Sequence, residues 1–231
     1  MSDLSGFTMK FGLLYKFGKE GRFGMTFKTP SWITVKETFS SVGTSRFDNG
    51  DQYQYPAGVV GSQYNEYDVK TPSIFTGGVA IDVTPLLLAL DVDYTDWTQM
   101  EFNVSGGADV LFTHYLEDLN TDIKKTFNPT ANIRAGVEAA VLDGALNLRG
   151  GFMYLPSPYK MDSSPNNQKY ATGGIGFTIE RTLLIDIGFA HGWWETSHLN
   201  YQHYDSGGNP TSQTKEAVTT NNIIATVTYR F

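Results

Sequence analysis

The chain has 231 residues, 40% hydrophobic and 14% aromatic, with 24 glycines, no cysteine, a formal net charge of −7 and a mean hydropathy of −0.26. These values exclude disulfide staples and thiolate metal sites. They speak against a nucleic-acid face, which is basic, and leave no run near the roughly 18 apolar residues of a spanning helix. A membrane protein built from strands stays open, because lipid-facing and lumen-facing residues alternate and cancel in any hydropathy average.

Taken in order, the sequence reads as nine strands. The first covers Gly6 to Phe17, with Phe7, Met9, Phe11, Leu13 and Tyr15 on one face and Thr8, Lys10, Gly12 and Lys16 on the other. Gly18-Lys19-Glu20-Gly21 makes a tight turn. The second runs from Arg22 to Phe39, and Pro30 inside it predicts a bulge or a local loss of pairing. The third covers Ser73 to Val83, and Thr84-Pro85 turns the chain. The fourth has Leu86, Leu88, Leu90, Val92 and Tyr94 outward, against Asp91 and Asp93. The fifth, Thr130 to Val141, sets Ile133, Ala135 and Val137 against Arg134 and Glu138.

Asp143-Gly144 leads into the sixth, with Leu146, Leu148, Phe152 and Tyr154 against Asn147 and Arg149. The seventh, Tyr170 to Glu180, shows Ile175, Phe177 and Ile179. The eighth, Leu183 to Glu195, shows Ile185, Ile187 and Phe189, with Asp186 opposed. The ninth ends the chain. This period of two argues for strands almost throughout.

The connections alternate between short turns and long polar loops, the long ones being Ser40–Thr71, Ser105–Asn128, Ser157–Lys169 and Thr196–Thr220. Short turns on one side and long loops on the other are the asymmetry of an outer-membrane barrel. A soluble sandwich would bury the charged row or expose rows of Leu and Phe. In a barrel the charged row faces the lumen and the apolar row faces lipid. The fold expected is all-β: a transmembrane antiparallel up-and-down β-barrel, residues 1–231 forming a single segment of it. The terminal Thr228-Tyr229-Arg230-Phe231 resembles the C-terminal signature of such barrels. Bacterial barrels carry an even strand number. Nine strands, and a polar opening without a leader before Gly6, therefore predict a mature or partial chain with residues missing before Met1.

Several stretches resemble the FadL-type family of outer-membrane transporters for fatty acids and other hydrophobic compounds. They are Lys28-Thr29-Pro30-Ser31-Trp32, Leu90-Asp91-Val92-Asp93-Tyr94-Thr95-Asp96-Trp97, and the pair formed by Ile133–Glu138 and Leu148–Tyr159. The likeness runs along nearly the whole chain in family order, closest to Bacteroidetes-like members. It implies a fourteen-stranded barrel of which this chain is the C-terminal two thirds, with the N-terminal hatch and early strands absent. It also implies capture of ligand by extracellular loops and a lateral exit that lies in the missing part.

Candidate ligand contacts are Trp97, Arg134, Arg149, Leu111, Tyr115 and Trp193. Trp97 is in phase with Asp91 and Asp93, which favours an inward contact. Trp193-Trp194 marks the outer interface, where aromatic residues form a belt. Alternation sends the two rings to opposite faces, so at most one meets a ligand. Arg134 and Arg149 are candidates for carboxylate recognition, since guanidinium binds carboxylates in a bidentate fork; the other reading is an ion-pair ladder with Asp91, Asp93, Glu138 and Asp186. Val110, Leu111, Tyr115, Leu119 and Ile123 share one face of a short amphipathic helix, either a self-packed cap or a landing site for amphiphiles. His198 and His203, with Glu195 and Asp205, match no compact metal motif, and the expectation is no metal and no cofactor.

The function expected is passive uptake of hydrophobic small molecules such as long-chain fatty acids across the outer membrane of a Gram-negative bacterium. The alternative is a scaffold or secretion-associated barrel that binds an outer-membrane protein partner. Expected partners are membrane lipids or lipopolysaccharide and a hydrophobic ligand, with no nucleic acid. An enzyme is not expected, because none of the four histidines has a Ser or Asp partner by strand register.

Overall fold

The computed structural model describes residues 2–40, 43–55, 62–104, 110–180, 182–202 and 211–230. Phe231, His203 and Asp205 lie outside them. The strands are β1 (Ser2–Phe7), β2 (Lys10–Phe17), β3 (Gly21–Lys28), β4 (Trp32–Ser40), β5 (Gly43–Arg46), β6 (Gln52–Tyr55), β7 (Ser62–Lys70), β8 (Ile74–Val83), β9 (Leu86–Asp96) and β10 (Glu101–Val104). The helix α1 (Val110–Thr126) follows, and then β11 (Pro129–Val141), β12 (Leu146–Leu155), β13 (Gln168–Ile179), β14 (Leu183–Gln202) and β15 (Thr211–Tyr229). The chain divides into two compact units.

The larger unit holds a nine-stranded sheet in the order β15-β14-β13-β12-β11-β9-β8-β3-β2. These match the nine strands the alternation predicts, except that the first begins at Lys10 and the second ends at Lys28, Gly6–Phe7 and Trp32–Phe39 pairing in the other sheet; the pairings from β8 through to β15 are antiparallel. The sheet remains open at β2 and β15. Ile133 and Val137 on β11 are exposed, while Arg134 and Glu138 on the opposite face are half-buried. The same contrast holds on β14, where Ile187 and Phe189 are exposed and Asp186 is half-buried. Short turns join the strands at one end. At Leu142–Gly144 three successive residues take left-handed φ values of 52°, 55° and 83°, a geometry in which only Gly144 is free of strain from a Cβ.

The smaller unit differs from what the sequence predicts. Four strands pair in the order β1-β4-β7-β10, and α1 packs against this sheet. β5 and β6 form a separate hairpin. The stretch Ser40–Thr71, expected as a loop, therefore contains β5, β6 and β7. The expected loop Thr196–Thr220 is largely the extension of β14 and β15, paired from Leu183↔Tyr229 out to Gln202↔Thr211 with one register shift between Leu199 and Tyr201. Polar strands such as Ser62–Lys70 lack an apolar row, so the alternation that marks the other strands is too faint to read.

Pro30 does interrupt pairing. β3 stops at Lys28 and β4 starts at Trp32, because proline has no N–H to give the ladder. Thr29 compensates: its N–H donates to the Met9 carbonyl at 2.9 Å, and its hydroxyl accepts from the Met9 N–H at 3.0 Å.

The buried apolar residues among those described, Val35, Leu116 and Ile123, all belong to the smaller unit. One face of its sheet offers Val35, Tyr67 and Phe102 to α1, with Tyr67 and Phe112 ring centroids 5.8 Å apart. Asn120 on α1 accepts from the Phe102 N–H at 2.7 Å and donates to the Phe102 carbonyl at 2.8 Å. That pair of bonds clips α1 to the edge strand β10, whose backbone groups would otherwise lack a partner on that side.

Candidate functional site

The polar face of the nine-stranded sheet carries two arginine clusters. Arg134 on β11 lies directly opposite Asp91 on β9, and its Nη1 donates to Asp91 Oδ1 at 2.9 Å and to Asp93 Oδ2 at 2.6 Å. Asp93 also accepts from the Thr76 hydroxyl on β8 at 2.7 Å. Arg149 on β12 lies opposite Glu138, and its Nε donates to Glu138 Oε2 at 2.5 Å. Its Nη1 reaches across β13 to Asp186 on β14. Together the clusters tie β8 through to β14. Two carboxylates per guanidinium leave each cluster with a net negative charge.

The crossing over β13 depends on a glycine that sequence reading alone passes over. A Cβ at position 176 would collide with the Asp186 carboxylate and stand 3.1 Å from Arg149 Nη1. Gly176 therefore keeps open the lane through which this ion pair runs. The signal lies in Gly173-Gly174-Ile175-Gly176, a cluster that weakens a strand unless something must pass close to its backbone.

Of the tryptophan pair, Trp193 lies on the apolar row, its ring 6.4 Å from that of Phe152 and stacked 5.6 Å from that of His191. Trp194 lies on the charged row, its ring 6.1 Å from that of Tyr170. Parity carries this signal, because Trp194 is eight residues from Asp186 and shares its face. Trp97 is not in phase with Asp91 and Asp93 as expected. β9 ends at Asp96, and Trp97 opens a short 3-10 turn to Gln99. Trp97 belongs to the smaller unit, whereas Arg134 and Arg149 belong to the larger.

The amphipathic helix forms, with its buried stripe turned from the expected one. Leu116 and Ile123 are buried, whereas Val110, Leu111 and Tyr115 are 67%, 76% and 57% exposed. Leu111 and Tyr115 are four residues apart and so share an outward turn. His114 pairs with Glu117 at 3.0 Å on this exposed surface. Glu195 and His198 lie on β14 three residues apart, which places them on opposite faces. No cluster suited to a metal ion occurs among the described residues.

Two solved structures are similar to the chain. A Pseudomonas aeruginosa FadL homologue matches with a TM-score of 0.58 and 14% identity, over 94% of this chain and 51% of that one. The Pseudomonas putida toluene transporter TodX matches with a TM-score of 0.48 and 13% identity, over 96% of this chain and 48% of that one. The chain thus spans about half the length of these solved relatives. No curated protein matches it by sequence. The family described as outer membrane protein transport protein (OMPP1/FadL/TodX) matches residues 1–231, and with strands that turn their apolar row outward and their paired charges inward, the chain belongs to that family of Gram-negative outer-membrane β-barrels.

Proposed function

We propose that the protein takes part in passive uptake of hydrophobic small molecules, long-chain fatty acids among them, across the outer membrane. The observation that carries this reading is the outward turn of α1, where Leu111 and Tyr115 stay exposed while the opposite side of the helix is docked on its sheet. Family membership supports it. An apolar turn offered to water lowers the free energy of an arriving acyl chain by covering apolar surface on both partners. Arg134 and Arg149 act in this reading as wall staples, not headgroup receptors, since each guanidinium already holds two carboxylates.

The test is uptake of a fluorescent long-chain fatty acid by cells carrying the whole protein with Leu111→Ser and Tyr115→Ser. Both side chains are exposed, so the substitutions leave the core intact. Uptake at low ligand concentration should fall roughly tenfold. Unchanged uptake would sink the role of α1. Equal uptake with and without the protein would sink transport itself.

A further inference from the structure

A positively charged residue on a lipid-facing row is costly at mid-bilayer, about 2–4 kcal/mol, and nearly free at the headgroup boundary. Lys169 stands on such a row, in phase with Ile175 and Phe177. It is the second residue of β13, at the end of the sheet away from the short turns. Its neighbours across the sheet are Tyr154 on β12 and Trp193 on β14. The next row inward holds Phe152 and His191.

His191, Trp193 and Tyr154 are held by side-chain contacts. His191 Nδ1 and Asn221 Oδ1 are 2.8 Å apart, and the imidazole stacks on Trp193 with 25° between the planes. The Tyr154 hydroxyl accepts from Asn167 Nδ2 at 2.6 Å, and Asn167 Oδ1 accepts from the Ser157 N–H at 2.9 Å. The segment 156–167 thereby braces the rim. Asn166 Nδ2 donates to the Glu195 carbonyl at 3.1 Å. Among the described residues no carboxylate lies within ion-pairing distance of Lys169. Directly below the cluster the row turns apolar at Phe189 and Ile187.

We propose that Lys169, His191 and the rings of Trp193 and Tyr154 form a site on the outer wall for the phosphorylated sugar head of lipopolysaccharide. Charge complementarity selects the phosphate: Lys169 brings an ammonium one row from the His191 imidazole, with no carboxylate within ion-pairing distance among the described residues. An ammonium binds phosphate as a point charge, and such charge-assisted bonds are about twice as strong as neutral ones. The aromatic faces suit the sugar ring, and the apolar rows below suit acyl chains. The site rests on the outer-membrane placement of the family and not on transport, so it stands or falls apart from the uptake reading.

The test is binding of lipopolysaccharide to the detergent-purified whole protein, followed by native mass spectrometry, and of the same material after phosphatase treatment. Dephosphorylation should weaken binding roughly tenfold. Lys169→Gln with His191→Gln should bind both forms alike, and Lys169→Arg should keep the preference. Equal binding of the two forms by the unaltered protein overturns the site without recourse to any variant. So does a phosphate preference that survives the double substitution, or phosphatidylglycerol competing as strongly as the glycolipid.

Discussion

The two units obey one rule in two solvents. In the smaller unit a helix lies on a sheet, Val35, Leu116 and Ile123 are buried, and Lys36, Glu66, Lys70 and Glu101 pair on the sheet face away from Val35. The nine-stranded sheet inverts this arrangement. Leu88, Val137, Leu148, Phe177 and Ile187 are all exposed, and the charges that cannot face lipid are joined across strands. The first unit is stabilised by taking apolar surface out of water. The second is stabilised by backbone bonds between neighbouring strands and by the pairing of Arg134 and Arg149 with carboxylates, since lipid tails drive no burial between its strands. Exposed leucine therefore means opposite things in the two halves of one chain.

The sharpest way to break this contrast is to make the same substitution in both units. Leu116→Ala should cost about 2–5 kcal/mol, the range for a fully buried leucine, and should let protease cut α1 at lower urea. Leu88→Ala alters the lipid row of β9, outside the unit that holds α1, and should leave that cleavage midpoint unmoved. Similar losses at the two positions would mean that the nine-stranded sheet has a water-type core after all.

Charge provides the second test. Ile187→Arg puts a cation on the apolar row, at a cost of about 2–4 kcal/mol near the midplane. It should shift the urea midpoint for folding into lipid vesicles, read by the gel mobility of unboiled samples. Thr226→Arg, opposite Asp186 on the polar face, should cost far less. A reversal of that order would invert the assignment of faces.

A smaller loss is expected where the ladder crosses β13. Gly176→Ala should push the Asp186 carboxylate away from Arg149 and cost about 1.5–3 kcal/mol, the range for hydrogen bonds to charged groups. Asp186→Asn should cost a similar amount, and the double variant little more than either, because both substitutions remove the same bond. Additive losses, measured by urea unfolding in vesicles, would show that Gly176 serves some purpose other than this lane.

Much of this was legible in the sequence, and the reasons differ by element. All nine spanning strands are readable because each needs a lipid row, and Leu86-x-Leu88-x-Leu90 or Ile185-x-Ile187-x-Phe189 has no other use. The polar strands β5, β6 and β7 leave no such row, so tyrosines and charges there read as loop. The Arg134 and Arg149 clusters follow from in-phase charges on strands already identified as neighbours. Trp97 misleads, because extrapolating the phase of β9 assumes the strand continues, and Asp96 ends it. The tilt of α1 toward Leu116 is illegible, since Leu111, Tyr115 and Leu119 make an equally apolar stripe until the sheet face of Tyr67 and Phe102 is known.

The weakest effect should belong to the water-facing ion pairs of the smaller unit. The Tyr64 hydroxyl donates to Glu66 Oε2 at 2.9 Å, and Lys36 Nζ lies 3.3 Å from Oε1. The hydrogen bond from Tyr64, followed by that from Lys36, holds the Glu66 carboxyl below its ordinary 4.5 despite some desolvation. The bond to Glu66 in turn raises both Lys36 and Tyr64 above their ordinary 10.5 and 10.0. A depressed acid lends stability that is complete above its unfolded value and fades as pH falls through the folded one. A raised base, and a phenol kept neutral, lend stability that is complete below their unfolded values and fades as pH rises through the folded ones. Amide protection on β4 and β7, the exchange rate divided into its intrinsic value at each pH, should therefore be greatest between these limits, falling slightly below 4.5 and again above 10.0. Lys36 and Tyr64 are exposed and Glu66 is partly so, so the change should be small, and smaller still in high salt. Glu66→Gln should flatten both limbs at once, because one carboxylate sustains all three shifts. Retention of the acid limb in that variant would assign it to another carboxyl and remove this pair from the account of the unit's stability.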